Sequence, residues 1–466
     1  MLWARNMKNN RIKLAPPLFI HLRILASLLV FVLLPLVTLV VLESVFILRG
    51  GVISYEMLVL GLCLLMLPGS VVGICFVILL SLQILFAIAP AYHMSPESVL
   101  SWVKSLTGLP IAYIVGIIVA VGMFAIISIC VSSWIKQISD KRHKKYLIVW
   151  VCVLIIAIFV DRFVEPNIGR NFVTSTSLSA SQVYRNSENQ TDFSIDGQHS
   201  SSATSELFRS IERSEPLPNK LLLVVIESLG LGNDSIQALQ YKDIIDGSLS
   251  MDKYSVTYRN IEFEGSTVPG EIRELCRRKT KQILMNISNE VSKTCLPHLL
   301  SSLGYTTTAY HGYTGGFFDR VKLYSELGFS ESIFANELFW EKGLSDRCGF
   351  LLFKGVCDSQ IAGLIKRHFG ASDEKEFIYW LTLNGHQPLR GAPLRGKYLS
   401  CSEMTLKESR VCWTIQHAQV TIHGLIEIAE SNDDLGIVIV GDHSPGGVQN
   451  TYRSDIVPSI VIWSKL

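Results

Sequence analysis

Hydrophobic positions divide the chain into two parts with different patterns. The first third contains long apolar runs that are almost free of charge, whereas the last half contains short apolar runs. A helix needs about 20 apolar residues to cross the hydrocarbon core of a bilayer, and the long runs approach or exceed that length. The sequence therefore predicts five transmembrane helices, near residues 24–48, 52–68, 70–91, 111–135 and 146–162.

The last half alternates its short apolar runs with stretches of helical periodicity. This alternation is typical of an α/β domain built on a mostly parallel central sheet. Between Pro166 and Pro218 the sequence is polar and has too few apolar residues for a core, so it predicts a linker, with a short helix near 204–213. Strands are predicted at 221–226, 305–310, 377–383, 436–440 and 456–463, and helices near 268–283, 293–303, 358–369 and 410–430.

Composition and charge extend this picture to topology. The chain is 49% hydrophobic and 18% charged, which is too apolar for an ordinary soluble enzyme. Four basic residues precede residue 14, and five lie at 136–145, in the loop before the last predicted span. Loops rich in Lys and Arg stay in the cytoplasm, so five spans place everything after about residue 163 outside it. We expect a five-helix transmembrane anchor domain at 1–165, the linker at 166–218 and an extracytoplasmic domain at 219–466.

Cysteine usage agrees with this topology. Four of the ten cysteines lie in predicted spans, where a thiol behaves as a small hydrophobic group. The other six lie in the C-terminal domain, and an even number outside the cytoplasm suggests disulfides. Pairing of sequence neighbours is one of several connectivities; unpaired cysteines are the alternative, and a zinc ribbon is disfavoured because no C-x-x-C occurs. The neighbouring candidates are Cys276 and Cys295, Cys348 and Cys357, and Cys401 and Cys412.

Acidic and imidazole side chains follow several of the predicted strands. Glu227 follows the first strand, His386 the third, and Asp442 and His443 the fourth. In an open α/β sheet, functional residues gather beyond the carboxyl ends of the strands. Carboxylates and imidazoles together suit zinc or manganese. The sequence therefore predicts a divalent metal site, for Zn or Mn, at this edge of the sheet.

The stretch GSTVPGEIR contains a candidate nucleophile. Pro269 is acceptable only near the first turn of a helix, which places Thr267 at or just before a helix N-terminus. Unpaired backbone N–H groups and the helix dipole favour an anion such as phosphate there. A threonine hydroxyl is a poor nucleophile at its ordinary pKa, and metal coordination is one way to activate it. The alternative is that Ser266 or Thr267 simply caps the helix.

Four motifs occur in order behind the predicted spans: VVIESLG, GSTVPGE, LTLNGHQP and VIVGDHSPG. With them, residues 220–466 resemble the sulfatase-like branch of the alkaline phosphatase superfamily, specifically the membrane-anchored phosphoethanolamine and phosphoglycerol transferases, including lipoteichoic acid synthase. The resemblance implies an α/β sulfatase-like fold, a divalent metal, and Thr267 as the nucleophile that takes a headgroup from a phospholipid. The metal shell that it implies consists of Glu227, Thr267, Asp442 and His443.

The resemblance implies roles for further side chains. His386 would contact the transferred phosphoryl group or the leaving oxygen, as the histidine of the matching family segment does. The stretch HGYTGGFFDR resembles a family segment that ends in an aromatic residue and an arginine, which suggests Phe318 and Arg320 beside the headgroup. We expect His311, at the start of this stretch, to be structural.

The function implied is metal-dependent transfer of phosphoethanolamine or phosphoglycerol from a phospholipid to an envelope glycan or glycolipid, through a phospho-threonine intermediate. The chain would then be a multi-pass protein of the bacterial cytoplasmic (inner) membrane with a periplasmic catalytic domain and no nucleic-acid partner. Ser444 stands where most relatives have glycine and no histidine follows His443, which favours phosphoglycerol, whereas the cysteine-rich domain favours phosphoethanolamine. Both headgroups stay open.

Two other functions are compatible with the sequence. A membrane-anchored phosphodiesterase or sulfatase-type hydrolase would use the same metal site, although a sulfatase requires Cys or Ser in a C/S-x-P-x-R context. Ser266 has Val268 where that proline would stand, which disfavours a sulfatase. A non-catalytic envelope scaffold would be expected to have lost a metal ligand, and all four candidates are present.

Overall fold

The structure is a computed structural model in which residues 202–232, 236–263, 265–280, 287–349, 353–386, 406–445, 452–453 and 456–465 are described. Before them it describes 53–63, 173–174 and separate positions between 71 and 155. The predicted spans and their basic loops fall largely outside these residues. No helix among the described residues is long and apolar enough to cross a membrane.

The chain forms two compact units. The first contains β1 (Ile53–Ser54), α1 (Tyr55–Cys63) and β2 (Val173–Thr174), and β1 pairs with β2 in parallel. All elements from Ser205 onward belong to the second unit.

The strands of the second unit are β3 (Lys220–Ile226), β4 (Leu231–Gly232), β5 (Tyr254–Glu262), β6 (Thr306–His311), β7 (Glu331–Ile333), β8 (Arg347–Cys348), β9 (Gly355–Val356), β10 (Glu376–Leu381), β11 (Leu435–Gly441), β12 (Tyr452–Arg453) and β13 (Ile456–Ser464). Its helices are α2 (Ser205–Glu212), α3 (Ile236–Ser248), α4 (Thr267–Cys276), α5 (Asn289–Ser292), α6 (Leu296–Ser302), α7 (Arg320–Leu327), α8 (Ala335–Trp340), α9 (Asp358–Gly370) and α10 (Leu406–Glu430), with a 3₁₀ turn at Phe317–Asp319.

A seven-stranded sheet, in the order β5-β13-β11-β3-β10-β6-β7, forms the centre of this unit. The strands from β11 to β7 in this order run parallel to one another. Strand β13 pairs in antiparallel fashion with both of its neighbours, β11 and β5. The central strands are buried along their whole length, as expected where helices cover both faces of a parallel sheet. The predicted α/β fold with a mostly parallel sheet is confirmed, and all five predicted strands are present.

Helices pack on both faces of this sheet. One apolar core joins α3, α9 and α10 to alternate residues of the central strands, such as Ile378 and Trp380 of β10. Tyr379, between those two residues, points to the other face and bonds to Glu271 of α4. Helix α4 therefore lies across the face opposite α9 and α10.

Two edge strands were absent from the prediction. Most side chains of β5 are exposed or partly exposed, and β5 pairs only with β13. β7 has three residues and pairs only with β6. An edge strand with one solvated face has no continuous apolar run, so it escapes a search for such runs.

The helices predicted from residue 204 onward are all present, with changes at their ends. The short linker helix appears as α2. The helix predicted at 268–283 ends at Cys276, because Arg277 takes a left-handed conformation with φ of 52° and terminates α4.

Two of the predicted disulfides are present. Cys276 pairs with Cys295 and Cys348 with Cys357. The first bond fastens the C-terminal end of α4 to the residue that precedes α6. Cys412 is also disulfide-bonded, and its predicted partner Cys401 lies outside the described residues.

Candidate active site

The candidate metal ligands meet at the carboxyl edge of the sheet. β3 and β11 are parallel neighbours, and Ile226 pairs with Gly441 at their ends. Glu227 and Asp442 come next in each chain segment, so the register alone brings their carboxylates side by side. One ligand atom each from Glu227, Asp442 and His443 lies within 4.8 Å of the others, and all three side chains are buried. The structure thus brings together ligands predicted from two separate motifs.

The imidazole of His443 presents Nε2 to the two carboxylates. Its Nδ1 lies 2.8 Å from the backbone oxygen of Ser444, and because a carbonyl only accepts, Nδ1 carries the hydrogen in this contact. Nε2 lies 3.2 Å from Asp442 Oδ2 and 3.5 Å from Glu227 Oε1, so a neutral ring would offer its lone pair to a cation between them. Metal-bound histidines are commonly held in this way, through the ring nitrogen that does not face the metal.

Asp442 has one satisfied and one unsatisfied oxygen. Oδ1 accepts hydrogen bonds from the backbone N–H groups of Ser228 and His443, both at 2.7 Å. Oδ2 is buried and has no hydrogen-bond partner among the described residues. It lies 3.2 Å from His443 Nε2, and a buried carboxylate is costly unless positive charge neutralises it, which a cation would do. The carboxylate and imidazole donors of this cluster therefore fit a divalent ion such as zinc or manganese.

Burial and neighbouring charges shift the pKa values of Asp442 and His443. Burial, followed by the charge of Glu227, raises the pKa of Asp442 to about 7. Burial lowers the pKa of His443, but the charges of Asp442 and Glu227 outweigh burial and leave it above its ordinary value. Neighbouring negative charge contributes to the raised pKa of both groups, and a bound cation would neutralise that charge.

Thr267 lies at the same point, on the first turn of α4. Its Oγ1 is 3.4 Å from Glu227 Oε2 and 3.3 Å from His443 Nε2. Ser266 occupies the N-cap position, but its side chain makes no capping hydrogen bond within the described part of the chain. The Thr267 hydroxyl is therefore directed at the candidate metal ligands, and the N-terminus of α4 faces the same place.

Two glycines allow the close approach of these segments. A Cβ on Gly270 would lie 2.8 Å from the backbone oxygen of Asp442, where α4 crosses the end of β11. A Cβ on Gly385 would lie 2.2 Å from the backbone oxygen of Glu227. Gly385 thus lets the loop that carries His386 approach the end of β3.

Arg273 is a residue of the site that the sequence did not indicate. Its guanidinium is buried, pairs with the adjacent Glu274, and donates hydrogen bonds to the backbone oxygens of Gly441 at 2.7 Å and Asp442 at 3.4 Å. It therefore fixes the backbone that carries two candidate ligands. Its one sequence signal is a charged pair in a helix whose other residues are largely apolar, and that pattern more often marks a solvated face.

Arg320, the first residue of α7, contacts Glu271, which lies one turn after Thr267 on α4. Its Nε and Nη2 donate to Glu271 Oε1 at 3.1 and 2.9 Å, and its guanidinium lies 5.2 Å from the ring centre of Phe318. Burial lowers the pKa of Arg320, but the charge of Glu271 outweighs it and raises the pKa above its ordinary value. Glu271 Oε2 accepts from the hydroxyls of Tyr324 and Tyr379. The places of Arg320 and Phe318 beside a headgroup stay predictions.

We expect Glu271→Gln to destabilise the protein strongly. Glu271 and Arg320 are almost fully buried, and removing one partner leaves a buried charge unpaired, which costs about 3–5 kcal/mol. The midpoint of thermal unfolding of the full-length protein should fall by about 10 °C.

The matched control is Glu427→Gln, because Glu427 pairs with Lys366 at the exposed surface. That change should leave the midpoint almost unchanged. Equal midpoints for the two variants would contradict a structural role for the Glu271 cluster.

His311 ends β6, next to this network. Its Nδ1 lies 3.1 Å from the backbone oxygen of Leu381. Burial, followed by the charge of Arg320, lowers its pKa well below the ordinary value, so the ring is neutral and Nδ1 carries the hydrogen. The structural role expected for His311 stays a prediction.

The profile of the sulfatase family matches residues 220–464, which is more than half of the chain. The chain belongs to the sulfatase family. This match confirms, at the level of the family, the resemblance carried by the four motifs. No curated protein sequence matches this chain significantly.

Several solved structures are similar to this sulfatase-family chain at low identity. An alkaline phosphatase superfamily protein from Vibrio parahaemolyticus is 15% identical, with a TM-score of 0.39. The match covers 54% of this chain and 61% of the Vibrio protein, so this chain spans about three fifths of the length of that protein. The Streptococcus pyogenes phosphoglycerol transferase GacH, in complex with sn-glycerol-1-phosphate, is 18% identical, with a TM-score of 0.37 and coverage of 56% and 72%. The C-terminal periplasmic domain of Escherichia coli EptC, in complex with Zn, is 11% identical, with a TM-score of 0.38 and coverage of 54% and 74%.

Proposed function

We propose that this protein transfers a phospholipid headgroup, phosphoethanolamine or phosphoglycerol, to an envelope glycan or glycolipid through a phosphorylated Thr267. One observation carries the proposal: the Thr267 hydroxyl stands at a helix N-terminus within 3.4 Å of both a candidate ligand carboxylate and a candidate ligand imidazole. A hydroxyl in this position can attack a phosphodiester whose oxygens would be held by a cation bound to these ligands and by the N–H groups of α4.

A divalent cation held by Glu227, Thr267, Asp442 and His443 would supply activation of the hydroxyl and polarisation of a phosphodiester oxygen. In the first step, the bond from Thr267 Oγ1 to phosphorus forms and the bond from phosphorus to the diacylglycerol oxygen breaks. The proton lost by Thr267 balances the one that diacylglycerol gains. We assign His386 the contact with that leaving oxygen.

In the second step, a hydroxyl of the acceptor attacks the same phosphorus. The bond to Thr267 breaks, the headgroup phosphate passes to the acceptor, and the threonine hydroxyl is restored. Since both half-reactions use one phosphoryl site, the kinetics should be ping-pong. Phe318 and Arg320 are assigned to the side of the headgroup.

The apolar first third of the chain supports a membrane setting for this reaction. Five spans would hold the catalytic domain on the periplasmic side of the inner membrane, close to its lipid donor. Anchoring raises the effective concentration of a donor that is confined to the bilayer.

The experiment is a vesicle assay with the full-length protein. Vesicles contain labelled phosphatidylethanolamine or phosphatidylglycerol, and Zn or Mn is supplied. We expect diacylglycerol from one lipid, with its headgroup recovered on an acceptor or on the protein, and the lipid that reacts identifies the headgroup. Diacylglycerol formed with all of the headgroup phosphate free in solution would indicate a hydrolase, and no product from either lipid would contradict the proposal.

A further inference from the structure

A short disulfide-closed segment lies against the loop that carries His386. Cys348 and Cys357 join the ends of the hairpin formed by β8 and β9. The Val356 N–H donates to the backbone oxygen of Gly312 at 2.8 Å. A Cβ on Gly355 would lie 2.1 Å from that oxygen and 2.4 Å from Leu383. Strand β9 therefore packs closely against the residues that follow β6 and β10.

Phe353, inside this closed segment, stacks on the imidazole of His386. The two ring centres are 3.6 Å apart, with an angle of 28° between the ring planes. Phe353 is itself buried and contacts the rings of Tyr313 and Phe317 at 5.9 and 5.8 Å. Because Tyr313 and Phe317 pack against the ring of Phe353, that ring restricts the plane in which the imidazole of His386 can lie.

Asp358 holds the backbone of the same loop from another side. It directly follows Cys357 and begins α9. Its carboxylate accepts hydrogen bonds from the N–H groups of Leu383 at 3.0 Å and Asn384 at 2.7 Å, while its own N–H donates to Asn384 Oδ1 at 2.7 Å. These reciprocal hydrogen bonds fix the backbone of the residues that lead into His386.

We propose that Phe353 and Asp358 are positioning residues for His386: Phe353 sets the plane of the imidazole and Asp358 sets the backbone that carries it. The proposal rests on the assignment of His386 to the leaving oxygen. A displacement of a reacting group by about 1 Å can cost about 100-fold in rate, so holding His386 from two sides has a direct catalytic consequence. Neither residue touches the reacting atoms in this scheme, and both act through His386.

The primary test is Phe353→Leu, which keeps an apolar side chain and removes the stacked ring, with Phe353→Trp as the rescue variant. Phe339→Leu is the matched control, because Phe339 contacts Arg347 in the same region and has no assigned contact with His386. Asp358→Asn is a second variant. Its amide nitrogen cannot accept the hydrogen bonds that the N–H groups of Leu383 and Asn384 donate to the carboxylate.

Two readouts are taken on the full-length protein. The first is the rate at which diethyl pyrocarbonate modifies His386, measured by peptide mass spectrometry with the exposed His298 as an internal reference. The second is kcat and KM for diacylglycerol formation.

For Phe353→Leu we expect His386 to react severalfold faster and kcat to fall by about 10-fold to 100-fold with little change in KM. Asp358→Asn should act in the same direction, Phe353→Trp should restore both values, and Phe339→Leu should leave both unchanged. Unchanged reactivity of His386 in Phe353→Leu would overturn the proposal, and so would faster modification with an unchanged kcat. If the parent protein forms no diacylglycerol, the proposed function fails, while the reactivity of His386 still decides whether Phe353 positions it.

Discussion

Thr267→Ala is expected to abolish headgroup transfer, with a loss of about 10⁴-fold or more in the rate of diacylglycerol formation. The methyl group that remains has no oxygen to attack phosphorus, whereas the Thr267 hydroxyl lies within reach of both Glu227 and His443. Thr267 is itself a candidate ligand, but the three side chains of the buried cluster, Glu227, Asp442 and His443, are untouched. Metal content and the thermal unfolding midpoint should therefore stay close to those of the parent, which separates loss of the nucleophile from loss of the site.

Two variants control this result. Thr267→Ser keeps a hydroxyl at the same atom and should retain substantial transfer. Ser266→Ala changes the preceding residue, whose side chain makes no capping hydrogen bond within the described residues, and should leave transfer almost unchanged. Transfer at the parental rate in Thr267→Ala would show that another group is the nucleophile.

Asp442→Asn is expected to abolish metal-dependent stabilisation of the protein. Asp442 and Glu227 are buried within one cluster, and Asp442 Oδ2 has no hydrogen-bond partner among the residues described. An ion that binds the folded state 100-fold above its Kd stabilises it by about 2.7 kcal/mol. That energy corresponds to a rise of about 5–10 °C in the midpoint for a domain of this size.

The measurement compares thermal midpoints with chelator and with added Zn or Mn. The parent should gain the full shift on metal addition and Asp442→Asn almost none. In chelator the midpoint of Asp442→Asn should equal or exceed that of the parent, because the amide removes the repulsion between the carboxylates of Asp442 and Glu227. An equal metal-dependent shift in both proteins would refute the assignment of Asp442 as a ligand.

The central strands were predictable because each is buried on both faces. Strands β3, β10 and β11 read as continuous apolar runs, and only a parallel sheet covered on both sides produces several such runs. Their carboxyl ends could then be read directly for functional residues. Edge strand β5 has no such run; its apolar residues alternate with polar ones at 254–258, a pattern that a search for continuous runs does not detect.

The candidate ligands were predictable for the same reason, whereas their supports were not. Glu227 and Asp442 each follow a buried strand, so sequence position determines where they lie. Arg273 and Phe353 reach the site through packing between distant elements, and no local pattern records such contacts. The partner of Arg320 was equally hidden, since Glu271 lies 49 residues earlier in the chain.

Ser444 shows how a departure in sequence can leave a contact intact. It is the backbone oxygen of Ser444 that meets His443 Nδ1, while its hydroxyl donates to the backbone oxygen of Ile456 at 3.4 Å. A glycine at this position would offer His443 the same oxygen. The serine therefore carries no information against metal binding by His443.

The most direct test of the central claim is mass spectrometry of the full-length protein, quenched during turnover with a lipid donor and without an acceptor. The account predicts that phosphoethanolamine or phosphoglycerol is attached to the peptide that contains Thr267, and that the adduct disappears when an acceptor is added. Turnover without any adduct on this peptide, or an adduct on a different residue, would contradict it.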